Sequence, residues 1–100
     1  MAEGAKVLVL FKAEGGAPCL DGNPTKQLKF DPLKPFSAVV DYLKRKLKSQ
    51  LESEQLFVYV HKFCPSLDEE LGVIFEAYKD EMHSGKFCLT VSYAPMLMYG

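Results

Sequence analysis

The sequence predicts a two-layer α+β domain: a mixed sheet packed on one long helix, with elements in the order ββαβαβ. Three observations carry that prediction. An almost continuous apolar run lies near the start, a long amphipathic stripe occupies the middle, and an alternating apolar segment lies near the end. At 100 residues the chain has room for a single core, since compact domains cluster at about 100–150 residues. Val7-Leu8-Val9-Leu10-Phe11 is rich in β-formers, which suits a strand covered on both faces near the middle of a sheet. Glu14-Gly15-Gly16-Ala17-Pro18 breaks that pattern, as Gly and Pro do in turns. Asp21-Gly22-Asn23-Pro24 reads as an exposed loop. Lys26 to Phe30 alternates, with Leu28 and Phe30 inward, and predicts a second strand paired with the first.

Phe36, Val39, Val40, Leu43, Leu47 and Leu51 recur at helical spacing, so one helix face is apolar. Pro35 fits its first turn, where a missing N–H costs nothing. The opposite face carries Lys44, Arg45, Lys46 and Lys48. After the polar Glu52-Ser53-Glu54, Leu56 to Val60 predicts a third, buried strand. Ser66 and Glu69 have capping-box spacing and predict a second helix, with Leu71, Ile74, Phe75 and Tyr78 on one face. Asp68, Glu69 and Glu70 then fall in its first turn, where the helix dipole favours carboxylates. Phe87, Leu89, Val91 and Tyr93 alternate with Cys88, Thr90 and Ser92, predicting a half-buried last strand. The domain is expected over residues 1–93, with 94–100 an extended, mobile tail behind Pro95.

An opening hairpin followed by a long helix returns the chain parallel to its first strand by a right-handed connection. The first and last strands then lie side by side in the centre, which is a ubiquitin-like β-grasp arrangement. A ferredoxin-like fold would need a helix directly after the first strand, and residues 15–24 are too poor in helix formers to supply one.

Composition narrows the function classes. The chain is 48% hydrophobic, 25% charged and formally −1 at pH 7. No apolar run approaches the ~18–20 residues of a membrane helix, and residues 1–6 show no secretory signal. Near-neutral charge removes the general electrostatic case for nucleic-acid binding. Three cysteines, Cys19, Cys64 and Cys88, make no disulfide framework and read as reduced cytosolic thiols. Together with His61 and His83 they lack metal-ligand spacing. Cys64 and His61 could be pictured as nucleophile and base, but nothing nearby supplies an orienting group or oxyanion donors. Gly15-Gly16 lacks the lysine and helix start of a phosphate loop. No catalytic residue, metal or cofactor is therefore expected. The Lys44-Arg45-Lys46-Lys48 run is a solvated face or a docking patch for an acidic protein, with nucleic-acid binding a third reading that the lack of an interleaved aromatic platform disfavours. Phe63, on a turn beside His61, Lys62 and Pro65, has the surroundings of an interface anchor.

The segment ending in Tyr99-Gly100 points to one chemistry. Glycine has no Cβ, so its carboxylate can thread a narrow channel and be attacked at close range. Carboxyl activation asks for this: adenylation, capture by an enzyme's thiolate, and transfer to a lysine amine.

Lys6-Val7-Leu8-Val9-Leu10-Phe11-Lys12-Ala13 with Gly16-Ala17-Pro18, Phe36 to Leu47, Ser53-Glu54-Gln55-Leu56-Phe57-Val58-Tyr59-Val60, Phe63-Cys64-Pro65-Ser66 and the closing glycine resemble the autophagy-related protein 12 family of ubiquitin-like modifiers. The resemblance implies activation by autophagy-related protein 7 and transfer to autophagy-related protein 10. It implies isopeptide attachment through Gly100 to a lysine of autophagy-related protein 5. The conjugate is then expected to recruit autophagy-related protein 3 and promote lipidation of a second ubiquitin-like protein. The implied location is the cytoplasm, with the preautophagosomal membrane reached only through the conjugate. Phe63 matches a family aromatic that contacts the recruited enzyme, Lys6 matches a basic residue of the same surface, and Tyr99 stands where the family usually has Trp. A family Lys-Trp or Lys-Phe pair on the second strand has no counterpart at Lys26-Gln27. Two rival readings belong to other classes: a ubiquitin-like module that docks without using its tail, and a small cysteine enzyme built on Cys64 and His61.

Overall fold

The computed structural model describes residues 6–17, 20, 22, 25–47, 56–82 and 84–95. Strand β1 (Val7–Ala13) buries Val7, Val9 and Phe11 on one face. It pairs antiparallel with β2 (Thr25–Phe30), Val9 opposite Leu28. The reversal between them begins at Gly15 and Gly16, whose φ values of 62° and 83° an L-residue rarely adopts. Helix α1 (Phe36–Leu47) follows and buries Phe36, Val39, Val40, Leu43 and Leu47. Strand β3 (Phe57–Tyr59), helix α2 (Leu71–Tyr78), the short strand β4 (Asp80–Glu81) and β5 (Phe87–Ala94) complete the order.

The sheet runs β2-β1-β5-β3, with β4 also pairing β5. The first and last strands are parallel neighbours, Val9 opposite Leu89 and Phe11 opposite Val91, as the ββαβαβ order requires. One continuous core joins the inner sheet face to both helices through residues such as Val9, Leu89, Leu43 and Ile74. At its β2 side Phe11 stacks on Tyr42 with ring centroids 5.7 Å apart, and Phe30 meets both edge-on. The α+β grasp expected from the sequence is the fold observed.

Several local expectations are corrected. β1 is central but covered on one face only: Leu8 and Leu10 are half-buried on the face opposite the core. Strand β4 was not foreseen, because two residues carry no period. Pro35 immediately precedes α1, and its carbonyl accepts the Ala38 N–H. Phe87 is exposed while Cys88 is buried, reversing the expected ends of β5. The cause is register: β1 begins to pair with β5 only at Leu89, so Phe87 overhangs the core and pairs along the backbone with Glu81 of β4. Leu20 is fully buried from within the first loop, where no periodicity announces it. Strand β5 runs one residue past Tyr93, Ala94 opposing Phe57.

The capping box at Ser66 does not form, and Asp68, Glu69 and Glu70 precede α2 instead of entering its first turn. A different arrangement satisfies the helix ends. The first N–H groups of α2, Leu71 and Gly72, donate to the carbonyls of Lys34 and Pro32 at 2.8 Å each. Reciprocally, Phe36 and Ser37 at the start of α1 donate to the carbonyls of Glu69 and Leu67. Each helix is capped by the main chain leading into the other, which removes the need for a side-chain cap.

Candidate partner-binding site

Helix α2 is two turns long, and that brevity shapes the surface around it. Leu71 and Ile74 reach the core, while Phe75 is only half-buried and Tyr78 is 37% exposed. The large hydrophobic side chains left exposed among the described residues all border this helix or its lead-ins. They are Leu33, Phe63, Leu67, Val73, Tyr78 and Phe87. Leu33 and Val73 face each other across a groove that Lys6, Pro32, Phe75 and Glu76 also line. Lys79 sits at the other end, its Nζ 5.0 Å from the Phe87 ring and 3.2 Å from Glu76 Oε1. These side chains form a broken strip around α2, with Val73 and Tyr78 about 140° apart on its circumference, and exposed apolar surface with charged borders is the composition of a protein-docking surface.

Phe63 is held at the C-terminal end of that strip by an unusual turn. Val60 and Phe63 form a bridge, each N–H donating to the other's carbonyl at 2.8 and 3.1 Å. The two residues between them, His61 and Lys62, have φ of 51° and 74°. Positive φ at both central positions is the signature of a type I′ turn. Without glycine or asparagine such a turn stores about 1–2 kcal/mol per residue. The Phe63 ring packs on Tyr78 at 4.8 Å, and the His61 ring lies 5.7 Å from the same Tyr78. His61 Nε2 is 2.8 Å from the Tyr78 carbonyl and 3.5 Å from Asp80 Oδ1. A carbonyl only accepts, so Nε2 carries the proton.

Phe63 and Lys6, which the family resemblance puts on one surface, lie beside different parts of α2, Lys6 with Val73 and Glu76 along the groove and Phe63 against Tyr78. Tyr78 and Phe87 are additions that the sequence reading assigned to the core. Their spacing is that of buried neighbours, and only the shortness of α2 and the overhang of β5 expose them. Gly100 and Tyr99 lie outside the described residues, as do Cys19, Lys48, Leu51, residues 53–55 and His83. Cys64 is exposed and Cys88 buried. The His61 Nε2 is directed at Tyr78 and Asp80, and among the described residues no hydrogen bond joins it to Cys64. Among those residues no group of three or more His, Cys, Asp or Glu could hold a metal. Nor is any helix there long and apolar enough to cross a membrane. Lys44 and Arg45 border an open groove between β2 and α1, with Lys29, Lys34, Phe30 and Tyr42.

A mixed grasp sheet packed on one long helix, its first and last strands parallel neighbours, defines the ubiquitin-like class of fold. The solved structures agree on the fold. A Trypanosoma brucei ATG8 crystal structure matches with a TM-score of 0.70 at 18% identity, covering 95% of this chain and 77% of that one. Plasmodium falciparum Atg8, solved in complex with a P. falciparum Atg3 peptide, matches with a TM-score of 0.69 at 15% identity, covering 91% and 76%. Residues 6–100 match the family described as ubiquitin-like autophagy protein Apg12, and the chain belongs to that family. The ubiquitin-like protein atg12 of Neurospora crassa is 36% identical over 96 residues, covering 95% of this chain and 56% of that one. The Rattus norvegicus ubiquitin-like protein ATG12 is 36% identical over 74 residues, covering 73% and 50%. This chain spans about half the length of these two relatives.

Proposed function

We propose that the protein is a covalent ubiquitin-like modifier of the autophagy system, attached through the carboxyl of Gly100 to a lysine of autophagy-related protein 5. The observation that carries this reading is the family match, which extends from Lys6 through Gly100. The chemistry needs four steps. ATP adenylates the Gly100 carboxyl with loss of pyrophosphate, a thiolate of autophagy-related protein 7 displaces AMP, a thiol of autophagy-related protein 10 takes over the acyl group and frees the first thiol, and the acceptor amine displaces the second. All nucleophiles belong to the enzymes and the acceptor. In this reading the chain supplies the carboxyl and a recognisable surface.

That surface is the α2 strip, with Phe63 as its aromatic anchor and Lys6 as a charged contact at its far end. Its proposed partner is autophagy-related protein 3, which would deliver a second ubiquitin-like protein for lipidation. The fold likeness to an Atg8 solved with an Atg3 peptide supports a conjugating-enzyme segment as the kind of ligand this fold accepts. The protein would work in the cytoplasm and reach the preautophagosomal membrane only in conjugated form. Tyr99 takes the place of an aromatic that precedes the attachment residue, so it belongs to the segment threaded into the activating enzyme.

Incubation with autophagy-related protein 7 and ATP tests the covalent step. A higher-mass adduct that a thiol reductant removes, and that deletion of Gly100 abolishes, is the expected result. An intact chain that forms none, while a control modifier does, would leave a module that docks without conjugation.

A further inference from the structure

The turn that presents Phe63 has no glycine to relax it, and the His61 side chain ties it to the end of α2. We propose that His61 is the positioning residue of the Phe63 contact. By donating its Nε2–H to the Tyr78 carbonyl, it pins the left-handed turn to the C-terminal end of α2. The Phe63 and Tyr78 rings then act as one rigid surface. This inference rests on reading Phe63 as a partner contact, and adds Tyr78 as the second half of that contact.

The end of α2 shows why a donor is needed there. The last carbonyls of a helix have no intrahelical partner, and glycine in a left-handed cap commonly supplies the missing N–H groups. Here Lys79 follows the helix in extended conformation, φ −62° and ψ 147°, and its N–H closes only the Phe75 carbonyl. The Tyr78 carbonyl is taken instead by His61, 17 residues away in sequence, at 2.8 Å. The same nitrogen lies 3.5 Å from Asp80 Oδ1, so the ring sits close to both residues that flank Lys79 while its one N–H goes to Tyr78. A cationic or hydrogen-donating group at a helix C-terminus also meets the negative end of the dipole.

The turn has its own reason to need the tether. With φ of 51° and 74°, His61 and Lys62 sit where L-residues are rare, and the two backbone bonds between Val60 and Phe63 must hold that geometry. The His61 side chain is 44% exposed, so truncating it opens no cavity in the core. The consequence of losing it is local: a turn free to drift, and a Phe63 ring no longer packed against Tyr78 at 4.8 Å.

Amide hydrogen exchange and binding to a purified autophagy-related protein 3 fragment, on wild type, His61→Ala, His61→Gln and Tyr78→Leu, separate the possibilities. In His61→Ala the Val60 and Phe63 amides should exchange about three- to tenfold faster, the range of one net hydrogen bond. Amides of β1 and β5 should keep their rates, and fragment binding should weaken by a similar factor. Gln places an amide N–H close to where the imidazole Nε2 stood, so His61→Gln should recover both readouts. Tyr78→Leu should weaken binding while leaving the turn protected, because the tether grips its backbone carbonyl. Unchanged exchange at Phe63 in His61→Ala would overturn the proposal, as would acceleration spread evenly over the whole sheet. Faster turn exchange with no wild-type binding would instead refute Phe63 as a partner contact while leaving the tether in place.

Discussion

The Phe63 ring packs against Tyr78 on one side and is 36% exposed overall, so its two roles, packing and docking, can be told apart by substitution. Aromatic anchors at interface centres commonly cost at least about 2 kcal/mol of binding when truncated. The covered part of the ring lies at the surface against Tyr78 and outside the core cluster. Phe63→Ala should therefore lower partner affinity tenfold or more in a calorimetric titration, yet shift the urea unfolding free energy by less than the ~3–5 kcal/mol of a core phenylalanine. An unfolding loss of that size would make Phe63 a core residue. That Phe63 is a surface residue was legible from the sequence, because it falls outside any period and beside His61, Lys62 and Pro65. Tyr78 was not legible. Its spacing from Leu71 and Ile74 is that of a buried helical stripe, and nothing in the local pattern says that the helix ends beneath it. Leu20 is the opposite case, a lone apolar residue in a loop that is nevertheless 1% exposed.

At the scale of elements, α1 shows what periodicity can specify and α2 what it cannot. The stripe from Phe36 to Leu47 predicts the buried face of α1 residue for residue. Leu43→Ala should cost ~2–5 kcal/mol, since its side chain is fully buried and the cavity cannot close freely. Lys46→Ala, on the exposed face with its Nζ 6.0 Å from the Tyr42 ring, should stay within about 0.5 kcal/mol. Thermal or urea denaturation of the pair checks the orientation of the helix. For α2 the Ser66–Glu69 spacing suggested a start that tertiary structure overrules. The carbonyls of Pro32 and Lys34 satisfy Leu71 and Gly72, a long-range pairing that no local motif encodes. Gly72 is the residue that permits it: a Cβ there would lie 3.0 Å from Pro32 Cβ and 3.2 Å from its carbonyl oxygen. Proline cannot swing aside without breaking the 2.8 Å bond it accepts. Gly72→Ala should thus destabilise by about 1–2 kcal/mol, although alanine is ordinarily the better helix former by ~1 kcal/mol. A gain in stability would mean the lead-in loop yields easily and the reciprocal capping is loose.

Over the whole molecule, the parallel pairing of β1 with β5 joins the two ends of the described chain, and every other element packs around that pair. The order ββαβαβ was enough to place these strands side by side. The uncovered outer face and strand β4 were not readable, because both depend on how far each element extends past its neighbours. Strand β5 has partners on both edges, β1 along one and β3 and β4 along the other, whereas β4 holds only two residue pairs. Native proteins open locally at such short, weakly held edges and globally at their doubly paired centres. Amides of Val9, Phe11, Leu89 and Val91 should therefore exchange only through global unfolding, and those of Asp80 and Glu81 through local opening. Leu89→Ala removes a fully buried side chain between the sheet and the helices. At ~2–5 kcal/mol it should accelerate β1, β5 and the buried turns of α1 together, by a factor of roughly thirty to several thousand. The β4 amides should barely respond. If the α1 amides stayed slow while β1 and β5 sped up, the helix and the sheet would be unfolding separately. The single cooperative core that presents the α2 strip as a fixed surface would then not exist.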